Sequence, residues 1–289
     1  MKSNLWLGLL FKFLSLIFTA MITLRFATTH LVMSNSAQIF VMSAGGALLS
    51  LFLVMWGGPQ VFIVRSKWRW YFLRAFITVV AMNAWAYSAK KLGASEQTLI
   101  SYTIPLSTMI IAALIGMEKM VTACLIAVVA CIIILLVNFQ IRTDLRGFDV
   151  AVGFFAAICY GFYDIVCKKQ SSSEHFLTQA FYVFGISSIM AAPFAINEVI
   201  DSSSSDIINA LYFSPIRLGA IVTLFLSYRF ASINILMPMG YLRLPIMAVM
   251  VYFSVGKTPN VSTIVSGLLI VLINIIVLAY MGYKNPKKI

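Results

Sequence analysis

Acidic residues are scarce in this 289-residue chain: Asp and Glu number 9 against 21 Lys and Arg, and charged residues make up only 10%. A soluble domain carries about 25% charge, so the composition excludes a water-soluble enzyme and a disordered segment alike. Histidine is scarcer still, with His30 and His175 the 2 copies. They fall in loops that the topology below sets on opposite faces, so neither can assist the other in acid–base or nucleophilic chemistry. Cys124, Cys131, Cys159 and Cys167 all lie in apolar stretches, none in a loop where a disulfide would staple the fold, and read as packing residues. The chain has no Walker-type phosphate loop, no metal-ligand cluster and no large loop domain, and no span carries a polar stripe that would line a channel. These absences predict that the protein is no enzyme and uses no cofactor.

What the chain has is apolar length. Hydrophobic residues make up 61% and the mean hydropathy is +0.96. At about 20 residues per span, ten apolar stretches fit and leave almost nothing for an aqueous domain. They run from 5 to 24, 39 to 55, 72 to 89, 99 to 117 and 121 to 139, then from 150 to 167, 176 to 196, 216 to 230, 233 to 255 and 261 to 280. Lipid cannot satisfy a free backbone amide or carbonyl, so these runs must be helices. The predicted fold class is an all-α polytopic membrane protein of ten transmembrane helices. The first stretch lacks a small-residue cleavage site followed by a polar chain and reads as a retained span. Placing the amino terminus in the cytoplasm puts twelve basic residues inside, among them Arg65, Lys67, Arg69, Arg74 and Lys168. Seven fall outside, including Arg25 and Arg217, so both termini are expected in the cytoplasm of a bacterial cell with the chain in its inner membrane. The net charge of +12 is then mostly an orientation signal, and its partner is the lipid bilayer rather than nucleic acid. The sequence leaves monomer and homodimer open.

The two halves echo each other. Residues 74–105, RAFITVVAMNAWAYSAKKLGASEQTLISYTIP, precede Gly116-Met117-Glu118, and residues 217–245, RLGAIVTLFLSYRFASINILMPMGYLRLP, precede Gly256-Lys257-Thr258. In each, an arginine opens a span, an Ala-Ser break follows, and the next span carries Tyr then Pro. Five spans per unit give two inverted five-helix repeats, 1–140 and 147–289, an arrangement common among alternating-access carriers.

An ionisable side chain within a span costs roughly 2.5–3.5 kcal/mol on insertion scales, so each one needs a partner, a cavity or a function. Arg243 lies near the middle of the ninth span, among Pro238, Gly240 and Pro245, where the helix is weakened. It is a candidate substrate ligand, or else an internal pair. Asp164, on the sixth span, shares a face with Tyr160 and Lys168, one turn before and after it. It reads as a ligand or as a local pair with Lys168. Lys12 sits deep in the first span and either stays neutral or faces the same cavity. Trp85, Tyr102, Tyr160, Tyr163 and Tyr241 lie within spans, where a ring could stack on a substrate. Glu118 and Lys119 read as anchors at a span end.

Residues 83–119, NAWAYSAKKLGASEQTLISYTIPLSTMIIAALIGMEK, resemble the third-to-fourth-span signature of the drug/metabolite transporter superfamily in its EamA branch. Residues 156–169, AAICYGFYDIVCKK, resemble the sixth span of bacterial S-adenosylmethionine uptake permeases, where an Asp precedes a Lys-Lys pair. Where such permeases repeat the acidic residue in the first span, this chain has Thr23 or a neighbour. The resemblance implies a secondary transporter of a small polar metabolite, with S-adenosylmethionine uptake its sharpest form and export of amino acids or drugs the alternative. A zwitterion would set its carboxylate on Arg243 and its cationic end on Asp164.

Overall fold

The computed structural model describes residues 4–28, 33–57, 62–92, 100–119, 121–138, 147–256 and 261–284. Every regular element among them is helical: α1 (Leu5–Thr28), α2 (Asn35–Gly57), α3 (Trp68–Leu92), α4 (Ile104–Leu114), α5 (Thr122–Asn138), α6 (Gly147–Ser171), α7 (Phe176–Asp201), α8 (Ser204–Tyr212), α9 (Ser214–Phe230), α10 (Ile233–Met239), α11 (Arg243–Val255) and α12 (Val261–Lys284). His30, Lys257 and Thr258 lie outside the described residues.

Six stretches are long and apolar enough to cross a membrane: α1, α2, α6, α7, the joined α8–α9 and the joined α10–α11. The shorter apolar helices α4, α5 and α12 add to them. The tenth span is α3, whose Arg69, Arg74, Lys90 and Lys91 lower its hydropathy although it is 25 residues long. The outward faces are apolar, with Trp56, Leu114 and Phe253 among the most exposed side chains, as lipid requires.

The packing obeys a two-fold exchange of the halves. Helix α1 lies along α9 as α6 lies along α3; α4 meets α6 as α11 meets α1; α3 meets α7 as α9 meets α2. The pairs α2–α7 and α5–α12 map onto themselves. Close approach is built by glycine at the crossings. A Cβ on Gly45 would lie 2.3 Å from Ser214 Oγ, and one on Gly161 would lie 3.1 Å from Ser107 Cβ.

The exchange extends to backbone detail. Proline sits in the first turn of α4 and again near the start of α11, and each helix ends on a left-handed glycine, Gly116 at φ +68° and Gly256 at φ +70°. A Cβ at either would meet nothing within 4 Å, so the penalty there is conformational rather than steric. Gly116→Ala and Gly256→Ala should each cost about 1–2 kcal/mol. Gly147→Ala, where a Cβ also meets open space, should cost nothing measurable. Melting in detergent compares the three.

The ninth span was expected to break. It tightens instead into a 3-10 turn, Gly240–Leu242, between α10 and α11, and the backbone stays in the right-handed region at Gly240 and Arg243. Pro238 and Pro245 have no N–H to return to the carbonyls one turn earlier, and a 3-10 turn restores part of the lost bonding without opening the chain.

Candidate functional site

Where the halves meet, a cavity of about 280 Å³ is lined by α1, α3, the segment leading into α4, α6, α9 and the α10–α11 turn. Its charged lining is Lys12, Arg217, Arg243 and Asp164. Seven of the eight residues singled out from the sequence line it: Lys12, Trp85, Tyr102, Tyr160, Tyr163, Asp164 and Arg243. The eighth, Tyr241, does not. It is fully buried behind Tyr102, with ring centroids 5.8 Å apart and planes 22° apart, and its hydroxyl donates to the Tyr102 carbonyl at 2.9 Å. The repeat-related tyrosines thus stack on each other, and Tyr241 supports the ring that faces the cavity.

Helix α1 overturns the expectation that no span carries a polar stripe. Lys12, Ser15, Thr19 and Thr23 recur at three- and four-residue spacing and all face the cavity. Three hydroxyls find backbone acceptors: Ser15 donates to the Ala220 carbonyl at 3.1 Å, Thr19 to Ser15 at 2.7 Å and Thr23 to Thr19 at 3.0 Å. The hydropathy average hid the stripe because the intervening residues are strongly apolar.

The basic pole lies toward the end of α1. Arg243, the first residue of α11, donates through one terminal nitrogen to Thr23 Oγ1, while its Nε is buried with no partner. The acidic pole lies toward the end of α6. Asp164 is 9% exposed, and Thr108 Oγ1 stands 3.4 Å away. That hydroxyl's single proton is better placed on the Ile104 carbonyl at 2.9 Å. Lys12 is the electrostatic neighbour of Asp164, with Nζ 5.7 Å above the Tyr228 ring, and the Tyr228 hydroxyl is directed at the same carboxylate.

Lys168 does not form the local pair with Asp164. Its ammonium donates to the Tyr228 carbonyl at 2.8 Å and the Ala231 carbonyl at 2.6 Å, closing the end of α9. Glu118 has the anchoring role expected of it. Its carboxylate accepts from Ile233 N at 2.9 Å, Asn234 N at 3.2 Å and Asn234 Nδ2 at 3.0 Å, capping α10.

Three arginines counted toward the orientation signal are buried. Arg25 lies over the Phe213 ring at 4.1 Å. Arg74 donates to Gln179 Oε1 on α7 and, at 2.9 Å, to the Tyr163 hydroxyl. Its repeat mate Arg217 donates to Ser43 Oγ at 2.9 Å and the Ile39 carbonyl at 3.3 Å on α2. Arg217 lines the cavity, whereas the sequence reading counted it among the outer basic residues. The two arginines open repeat-related spans, and each turns inward to bond a neighbouring helix, α7 for Arg74 and α2 for Arg217.

The family model for "EamA-like transporter family" matches residues 6–140 and again 148–279. The "S-adenosylmethionine uptake transporter" of Rickettsia prowazekii is 27% identical over 201 residues, covering 69% of this chain and 68% of that protein. Its Rickettsia felis counterpart is 25% identical over the same length and coverage. A solved crystal structure superposes with a TM-score of 0.77 at 14% identity, covering 98% of this chain and 99% of the other, which shows the fold alone. Two matched repeats, related by the exchange seen in the helix packing and enclosing one polar cavity, make this chain a member of the EamA-like transporter family.

Proposed function

We propose that the chain is a secondary transporter that carries a small zwitterion through this cavity, with S-adenosylmethionine uptake as its activity, driven by exchange or an ion gradient. The observation that carries the reading is that two repeat-related helix pairs, α4–α6 and α1–α11, present opposite charges to the cavity. Asp164 of α6 faces Thr108 of α4, and Thr23 of α1 faces Arg243 of α11, so the two exchanged helix pairs bring one acid and one base to the same cavity. The substrate's carboxylate belongs at Arg243 and Thr23, and the rest of the molecule extends past Trp85, Tyr102 and Tyr160 toward Asp164. The names of the Rickettsia relatives favour this substrate.

In this reading the repeats comprise 1–140 and 147–289, both termini are cytoplasmic, and the membrane is the bacterial inner membrane. The buried arginines do not disturb that orientation. Arg74 and Lys168 leave the inner group of basic residues while Arg25 and Arg217 leave the outer, and the inner excess persists.

Uptake of radiolabelled S-adenosylmethionine by cells expressing the protein is the test. Asp164→Asn should lower it about 10- to 100-fold, the value of a hydrogen bond to a charged group. Wild-type uptake by the double variant Arg243→Ala, Asp164→Asn would remove this site from the mechanism.

A further inference from the structure

The two poles lie toward opposite ends of α1, the helix that runs the length of the cavity, rather than side by side. Lys12, which lines the acidic end of the cavity with Nζ 5.7 Å from the Tyr228 ring, and Thr23, beside Arg243, are both on α1, eleven residues apart, or about 16 Å along the axis. Allowing a hydrogen bond of about 3 Å at each end leaves about 10 Å between the charged groups of a ligand that touches both. Tyr160, one turn from Asp164 on α6, faces the stretch between them.

We propose that the spacing between the Asp164 and Arg243 poles makes the cavity a gauge for length, selecting elongated molecules with an acid at one end and a proton donor or cation at the other, and passing over free α-amino acids. The inference rests on the cavity being the substrate site. A free α-amino acid holds its ammonium and carboxylate on one carbon, so it leaves one pole unsatisfied whichever it meets. For an adenosyl amino acid bound through its carboxylate at Arg243, the sulfonium is too close to that carboxylate to reach Asp164. The group that reaches the acidic pole is the exocyclic amine of the adenine, and the sulfonium rests midway against Tyr102 and Tyr160, where an aromatic face attracts a cation. Asp164 then reads the nucleobase rather than the charge on sulfur.

The test is a series of straight-chain ω-amino carboxylates, from glycine to twelve carbons, added to the purified full-length protein in detergent while its melting temperature is followed. The stabilisation should peak at about eight carbons, with apparent affinity about tenfold above that of glycine or 4-aminobutyrate. Matched fatty acids and alkylamines of the same lengths, each with one charged end, should show no such peak. A response that rises steadily with chain length in all three series, or a flat one, overturns the proposal without recourse to any variant. In uptake assays, S-adenosylhomocysteine should compete with S-adenosylmethionine, whereas S-methylmethionine, which keeps the sulfonium and loses the nucleoside, should not. Equal competition by S-methylmethionine would also overturn it. A peak in the ω-amino series without S-adenosylmethionine uptake would remove that substrate and leave the length gauge standing.

Discussion

Arg243→Gln should leave the protein at least as stable as the wild type while lowering substrate uptake about 10- to 100-fold. The two halves of that result come from one geometry. The guanidinium stands in a cavity within the membrane, held by the neutral hydroxyl of Thr23, and its Nε is buried without a partner. Holding an uncompensated charge there costs folding free energy. The shorter, uncharged amide removes that cost. What it cannot do is meet a carboxylate with a charge-assisted, two-pronged pair. Arg243→Lys retains the charge without the fork and should recover part of the uptake. Melting temperature and uptake measured on the same three proteins separate a binding role from a packing one, since a packing residue would lower both together.

Much of the plan was legible in the sequence because lipid permits so few solutions. The apolar runs had to be helices, and the Tyr-Pro spacing with the closing glycines revealed the repeat before any coordinates. The structure adds that Tyr102 and Tyr241 meet face to face and that Gly116 and Gly256 share one left-handed conformation. Lys12, Asp164 and Arg243 could be found because a charge within an apolar run is conspicuous. Arg74 and Arg217 could not, since an arginine near a span end looks like an orientation signal until the helix packed against it is known. Tyr241 was misplaced for a related reason: spacing along a helix says that a ring is inside, not which of two interior neighbours it touches. The stripe of hydroxyls on α1 was written in the sequence at helical spacing, but hydroxyls weigh little in an average over a strongly apolar span.

Glu118→Ala should be the most damaging single change outside the cavity, costing about 3 kcal/mol and most of the uptake. Three donors at the start of α10 converge on this carboxylate. Hydrogen bonds to a charged group contribute about 1.5–3 kcal/mol each, and the amides left behind would be part-buried without partners. Across the same joint, Lys168 holds the last carbonyls of α9, so the turn through Ala231 and Ser232 is clasped from both sides by opposite charges borne on α6 and the segment after α4. The clasp fixes where α10 begins, hence where the 3-10 turn falls, and hence the direction in which Arg243 leaves the backbone toward Thr23. Glu118→Gln keeps one acceptor oxygen and should lose about half as much stability. Lys168→Met should weaken the joint from the α9 side. If the two groups work as one clasp, the double variant Glu118→Gln, Lys168→Met will lose less stability than the two single losses together. Strict additivity in a denaturation series would show two independent caps. Unchanged uptake in Glu118→Ala would show that the placement of Arg243 does not depend on how α10 starts.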